Sequence, residues 1–205
     1  MKKKISIVNH EQGNKLHIIR ACEYLGFQVN IVDNEKQIMN SDKLIIPGVG
    51  RFGTAMNNIK KKNIYKSIKT FFEDKRPVLG ICLGFQLLFY VSQEDENVKG
   101  LQFIKGEFLK FPNKNKFKIP QIQWNQKKKK KDSILLKNIE DNEFFYFNHT
   151  FYLNKMSIKS EIVKATTDYN DINYPSVIEN ENVFGTQFHP EKSGLKGLEI
   201  LNNFK

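Results

Sequence analysis

Branched apolar residues come in short bursts along the first half of the chain, separated by polar or small residues. KISIVN (4–9) predicts a strand, ended by the polar cluster from His10 to Asn14 with Gly13 inside it. From Lys15 to Leu25 the period changes. Leu16, Ile18, Ile19, Ala21, Cys22 and Leu25 recur near three- and four-residue steps, which predicts a helix that Gly26 stops. Cys22 lies on its buried stripe and reads as packing. FQVNIVD (27–33) and LIIPGVG (44–50) predict two more strands, the second running into a proline and two glycines. Residues 54–73 predict one helix with Ala55, Met56, Ile59, Ile64, Ile68, Phe71 and Phe72 on its apolar face, and PVLGI (77–81) a fully apolar central strand. This rhythm is that of an α/β domain with a mostly parallel sheet flanked by helices.

The second half changes character. FIKGEFLKF, FKIPQIQW, EFFYFNHTFYL and EIVKATTDY are strand-like and separated by polar turns, so added antiparallel strands are expected. SVIENENVFGTQFHP (176–190) predicts a hairpin turning through Asn180 to Asn182, and Leu195 to Phe204 a closing helix.

Composition narrows the class. The 205 residues suit one domain, 1–205, that buries a core without disulfides or a structural metal. Two cysteines, a short basic tip and no signal peptide point to a reducing, cytoplasmic compartment, and no apolar run is long enough to cross a bilayer. The net charge of +11 favours anionic partners, yet the lysines are scattered and no RNA-binding or zinc-finger signature accompanies them, so no nucleic acid is expected as partner. The run Lys127 to Lys131 reads as a solvated loop.

Chemistry concentrates in three places. GICLGF (80–85) places Cys82 between Gly80 and Gly84, after a strand and before a predicted helix Leu83 to Val91. That is the pattern of a nucleophile elbow with cysteine in place of serine, the thiolate helped by the helix N-terminus. A buried cysteine in a strand-to-helix turn is the plain alternative. FGTQFHPEKS (184–193) supplies a base and an orienting acid, His189 and Glu191, across a proline that fixes the path between them. PGVG (47–50) ends a strand expected beside the elbow, where glycine-rich backbone can aim N–H groups at the oxygen of a tetrahedral intermediate.

In this order and at these separations, PGVG, GICLGFQ and FHPEKS resemble the class I glutamine amidotransferases. EYLGF, DKLIIPGVGRFG, PVLGICLGFQLLF, GLQFIKGEF, IPQIQWN, FYFNHTFY, ATTDY and NVFGTQFHPEKSG extend the resemblance to the glutaminase subunits of imidazole glycerol phosphate synthases. The resemblance implies a flavodoxin-like fold, no cofactor, and hydrolysis of L-glutamine to glutamate and ammonia through a thioester on Cys82. It implies Val49, Gly50 and Leu83 as the oxyanion hole, and Gly48, Gly50, Gln86, His149, Thr150 and Phe151 as the substrate site. Trp124, Asn125 and Lys192 match positions at the interface with a (β/α)8-barrel synthase subunit, which would receive the ammonia for histidine biosynthesis. Such a glutaminase is expected to be nearly silent alone. Two segments depart from the usual family pattern, Asn9 to Asn14 and Gln121 to Gln123, and both are expected to face the partner or the channel entrance. They keep open an alternative acceptor, a sugar amidotransferase of surface-polysaccharide synthesis fed through a barrel-like subunit. A free-standing thiol hydrolase of the same broad fold is the reading from another class, with Gln86 and the PGVG loop against it.

Overall fold

A computed structural model describes residues 4–13, 15–113 and 117–204; the basic tip and Asn14 lie outside them. The first half runs β1 (Lys4–Val8), α1 (Leu16–Tyr24), β2 (Gln28–Val32), α2 (Glu35–Met39), β3 (Leu44–Ile46), α3 (Phe52–Lys61), α4 (Tyr65–Glu73), β4 (Val78–Ile81) and α5 (Leu83–Leu87). Strands then dominate: β5 (Val91–Ser92), β6 (Glu107–Lys110), β7 (Gln121–Gln126), β8 (Lys128–Lys129), β9 (Phe144–His149), β10 (Phe151–Leu153), β11 (Val163–Tyr169), β12 (Ile172–Asn180) and β13 (Val183–Thr186). They are closed by α6 (Gly194–Asn203).

Eight strands form one sheet in the order β2-β1-β3-β4-β13-β12-β11-β8. The pairs from β2 through β13 are parallel, and those from β13 to β8 antiparallel, as the change of pattern between the halves predicts. Strand alternation decides what each face buries. Ile5, Ile7, Ile45, Leu79 and Ile81 pack with Ile18, Cys22, Ile200 and Leu201 of α1 and α6. Val8, Leu44, Ile46 and Val78 pack with Ile59, Ile68 and Phe85 of α3, α4 and α5. β3 and β4 are buried along their whole length, so their C-terminal ends are held rigidly where the chemistry is expected.

Three local expectations need correction, and one helix was missed. The helix predicted over 54–73 is two helices, because Asn63 takes a left-handed conformation (φ 57°) between them. Ile59 and Ile64 are both fully buried but five residues apart, a step that a 3.6-residue period cannot keep on one stripe; the turn at Asn63 absorbs it. Helix α2 was not predicted, although Asn34 caps it by accepting from Gln37 N–H at 3.1 Å. The elbow helix stops at Leu87 rather than Val91: the Leu87 carbonyl accepts from Leu101 N–H at 2.7 Å, drawing residues 100–104 across its end. The lysine run is not simply a solvated loop. Lys128 and Lys129 form β8 against β11, and the Lys127 side chain is buried, its Nζ donating to Glu140 O at 2.5 Å with Asp141 Oδ1 at 3.8 Å. Among the described residues no helix is long and apolar enough to cross a membrane.

Candidate active site

β4 delivers the chain to Cys82 at φ 51°, ψ −104°, a conformation that side chains rarely adopt. Such strain persists only where the surroundings impose it, and here they are backbone. A Cβ on Gly84 would stand 1.8 Å from Ile46 O, and one on Gly48 2.4 Å from Leu83 Cβ, so glycine alone lets the PGVG loop lie against the elbow. Cys82 is 4% exposed, with its sulfur 3.5 Å from Asn148 O and 3.9 Å from Gln187 Nε2.

β13 lies beside β4 and brings His189 to the same end of the sheet. His189 Nδ1 is 2.8 Å from Glu191 Oε1, and both side chains are buried. Pro190 to Lys192 form one 3-10 turn, tied down as Ser193 Oγ donates to His189 O at 2.6 Å and Tyr146 N–H donates to Ser193 Oγ at 3.0 Å. A carboxylate at Nδ1 keeps the proton of the neutral ring there, which leaves the Nε2 lone pair for a thiol proton. Nε2 is buried and makes no hydrogen bond to the described residues. Burial opposes a charge on His189, but the Cys82 sulfur and then Glu191 outweigh it and raise its pKa to about 10. The environment thus favours the protonated form of the His189 ring.

Two cavities meet at Val49. One, of about 200 Å³, is lined by Cys82 and by Val49, Gly50, Leu83, Gln86, His149, Thr150 and Phe151, together with Glu94, Pro120 and Asn148. The other, of about 240 Å³, is lined by Gly48, His189, Glu191 and Lys192 with residues of α1 and the loop before it. Of the expected substrate residues, Gly48 therefore falls on the second cavity. A larger groove of about 1250 Å³ runs between Lys129 to Glu140 and Glu179, and it contains no cysteine or histidine.

One donor of the expected oxyanion hole is already bonded within the fold. Leu83 N–H donates to Gly48 O at 3.3 Å, so the loop itself occupies that donor. Both departures from the family pattern also turn inward in part. His10 is fully buried beneath the loop, with Nε2 2.7 Å from Pro47 O. Gln12 Oε1 accepts from Arg51 N–H at 3.3 Å, so the segment brackets PGVG at both ends. Gln121 is fully buried and accepts from Tyr174 O–H at 2.9 Å, whereas Ile122 is 56% exposed. Trp124 is half exposed, with Tyr146 opposite it, and Lys192 Nζ sits 5.8 Å from the Tyr146 ring centre. Asn125 is tied into the fold by donating to Asp168 O at 2.8 Å.

Sequence reasoning missed Glu94, whose Oε2 accepts from Phe52 N–H at 2.8 Å and whose pKa is raised chiefly by burial. Nothing in SQEDEN distinguishes it from a solvated acidic run.

Two buried imidazoles make the fold acid-sensitive. Burial lowers the pKa of His10 from 6.5 and that of His149 to about 3, so the unfolded chain takes up protons that the native one refuses. The stability they contribute is present above pH 6.5 and is lost as the pH falls toward the folded values. His149, held at about 3, should cost about 1.4 kcal/mol by one pH unit below its unfolded pKa, and His10 adds a cost of the same sign. The urea midpoint should therefore fall between about pH 7 and pH 5.5, before most carboxylates titrate. A flat midpoint would show that these rings are not held neutral.

With this geometry in view, comparison with known proteins decides the family. The profile of the class-I glutamine amidotransferases matches residues 6–205. The chain belongs to that family. It is 43% identical to the imidazole glycerol phosphate synthase subunit HisH of Methanocaldococcus jannaschii, over 98% of this chain and 97% of the relative. HisH of Caldanaerobacter subterraneus subsp. tengcongensis is 41% identical over 98% and 96%. These relatives put the chain in the HisH branch of the family. Solved structures share the fold at lower identity. PurLQS from Thermotoga maritima gives a TM-score of 0.75 at 21% identity, covering 100% of this chain and 98% of that one. The glutaminase domain of Trypanosoma brucei CTPS gives 0.68 at 14%, covering 99% and 94%.

Proposed function

We propose that the chain is a glutaminase subunit that hydrolyses L-glutamine and hands the ammonia to a (β/α)8-barrel synthase subunit of histidine biosynthesis. The observation that carries this reading is Cys82 on its strained elbow beside a buried His189–Glu191 pair. His189 Nε2 takes the thiol proton, and the Cys82 sulfur attacks the γ-carboxamide carbon of glutamine. The proton then passes to the departing nitrogen, which leaves as ammonia, and a water molecule hydrolyses the thioester. Gln86, Thr150 and Phe151 line the cavity that holds the substrate, and Glu94 offers its α-amino group a carboxylate. Both cysteines are free, and the thiol nucleophile suits the reducing cytoplasm in which we place the protein.

Partner gating follows from the closed loop. With Leu83 N–H bonded to Gly48 O, the intermediate's oxygen lacks one donor until the loop shifts. The exposed Trp124 and Ile122, with Tyr146 and Lys192 beside them, offer a docking face next to His189. One missing oxyanion donor costs about 10²–10³ in rate, so a partner that restores it should stimulate at least 10²-fold. The experiment is glutamate release from glutamine by the chain alone, and then with a barrel synthase subunit in the presence of its nucleotide ligand. Stimulation on that scale is expected, and Trp124→Ala should weaken it by impairing docking. Activity indifferent to the barrel subunit would sink the reading and leave the sugar-modifying or free-standing alternatives.

A further inference from the structure

β4 and β13 are parallel neighbours with Thr186 opposite Ile81, so the next residues, Gln187 and Cys82, leave the sheet side by side. Backbone bonds hold this register past the strand ends: Cys82 N–H donates to Thr186 O at 2.8 Å, and Gln187 N–H to Ser176 O at 2.9 Å. The Gln187 side chain is fully buried, its Nε2 lies 3.9 Å from Cys82 Sγ, and its Oε1 has no partner among the described residues. Burying an amide with one end unpaired is unfavourable, and methionine would fill similar space without that penalty. Packing alone therefore does not account for the residue. The amide's orientation follows from charge. Rotated by half a turn, it would aim a carbonyl oxygen at a sulfur that must become an anion, and would leave the two amide hydrogens unpaired.

We propose that Gln187 is a further catalytic residue, its amide N–H donating to the Cys82 sulfur and stabilising the thiolate that attacks the substrate. The proposal rests on Cys82 being the nucleophile. In the proton transfer itself Gln187 exchanges nothing: the proton leaves Sγ for His189 Nε2, and the amide only favours the charge left behind. Other support for that charge is limited. Helix α5 has five residues, too short for much of a dipole, and Asn148 O at 3.5 Å is an acceptor that suits the thiol rather than the thiolate. Of the titratable groups nearby, His189 supplies positive charge, Glu191 lies behind it, and His149 and Tyr174 are held neutral by burial.

The test is the pH profile of Cys82 alkylation by iodoacetamide on the full chain, located by mass spectrometry. Cys22 stays silent, since burial pushes its thiol up to about 12. In Gln187→Met the midpoint should rise by about one pH unit, with alkylation near neutrality about tenfold slower. Gln187→Glu should shift it further, because a carboxylate then faces the sulfur. Profiles that overlie the wild type in correctly folded variants overturn the proposal. If neither variant folds, the wild type decides. The Gln187 side-chain ¹⁵N resonance should move with pH in step with alkylation and cease to do so in Cys82→Ala; indifference to Cys82 is the overturning result. Failure of the underlying reading looks different, since Cys82→Ala would then still release glutamate.

Discussion

Cys82→Ala is expected to release no measurable glutamate from glutamine, a loss of at least about 10⁴-fold, while synthesis from ammonia by the reconstituted pair stays within about twofold. The asymmetry is the informative part. Only the glutaminase half-reaction needs a covalent intermediate, so removing the sulfur should spare any partner chemistry that accepts ammonia directly. Folding should survive: Cys82 sits at φ 51°, alanine occupies that conformation at much the same backbone cost as cysteine, and a single sulfur leaves the interior. If the residue were only a buried cysteine in a tight turn, the variant would keep its turnover and lose a little stability. Glutamate release at the wild-type rate would therefore remove both the thioester and the roles given to His189 and Glu191.

The proposed triad stood out as a candidate in the sequence because its chemistry requires rare residue types in short windows. Cysteine between two glycines after an apolar burst, and histidine two residues before glutamate across a proline, carry their geometry almost locally. The parallel sheet was legible for a similar reason, since β3 and β4 are buried on both faces and read as unbroken apolar runs. What stayed hidden depends on neighbours distant in sequence. Glu94 becomes a cavity residue only because it accepts from Phe52 N–H, and His10 is buried only because Pro47 offers it a carbonyl. Lys127 differs from the four lysines after it in that its side chain is buried, with Nζ on the Glu140 carbonyl. Gln187 stands inside a motif that was read for its histidine and glutamate, and its contact with Cys82 depends on the pairing of β13 with β4. The split of the helix over 54–73 belongs to a third class: the five-residue step from Ile59 to Ile64 was visible, but its meaning rests on both being core.

Gly84→Ala is expected to lose more than about 4 kcal/mol of stability, beyond the usual range for a point substitution and a large share of the 5–15 kcal/mol typical of a domain. The added Cβ would stand 1.8 Å from Ile46 O, 2.6 Å from Ile46 C and 3.0 Å from Pro47 O, all backbone atoms that no rotamer change can move. Relief requires α5 to lift from the end of β3, and that displacement carries Cys82 and Leu83 away from Gly48. Any folded fraction should therefore also be inactive. For a chain of this size the melting temperature should drop by roughly 8–16 °C. Gly26→Ala is the matched control, because at φ 81° it meets nothing within 4 Å and should cost only about 1–2 kcal/mol for its backbone conformation, with glutaminase activity retained. Wild-type melting and turnover in Gly84→Ala would mean that the PGVG loop does not lie against the elbow, and the gating assigned to the Leu83 N–H bond with Gly48 O would fall with it.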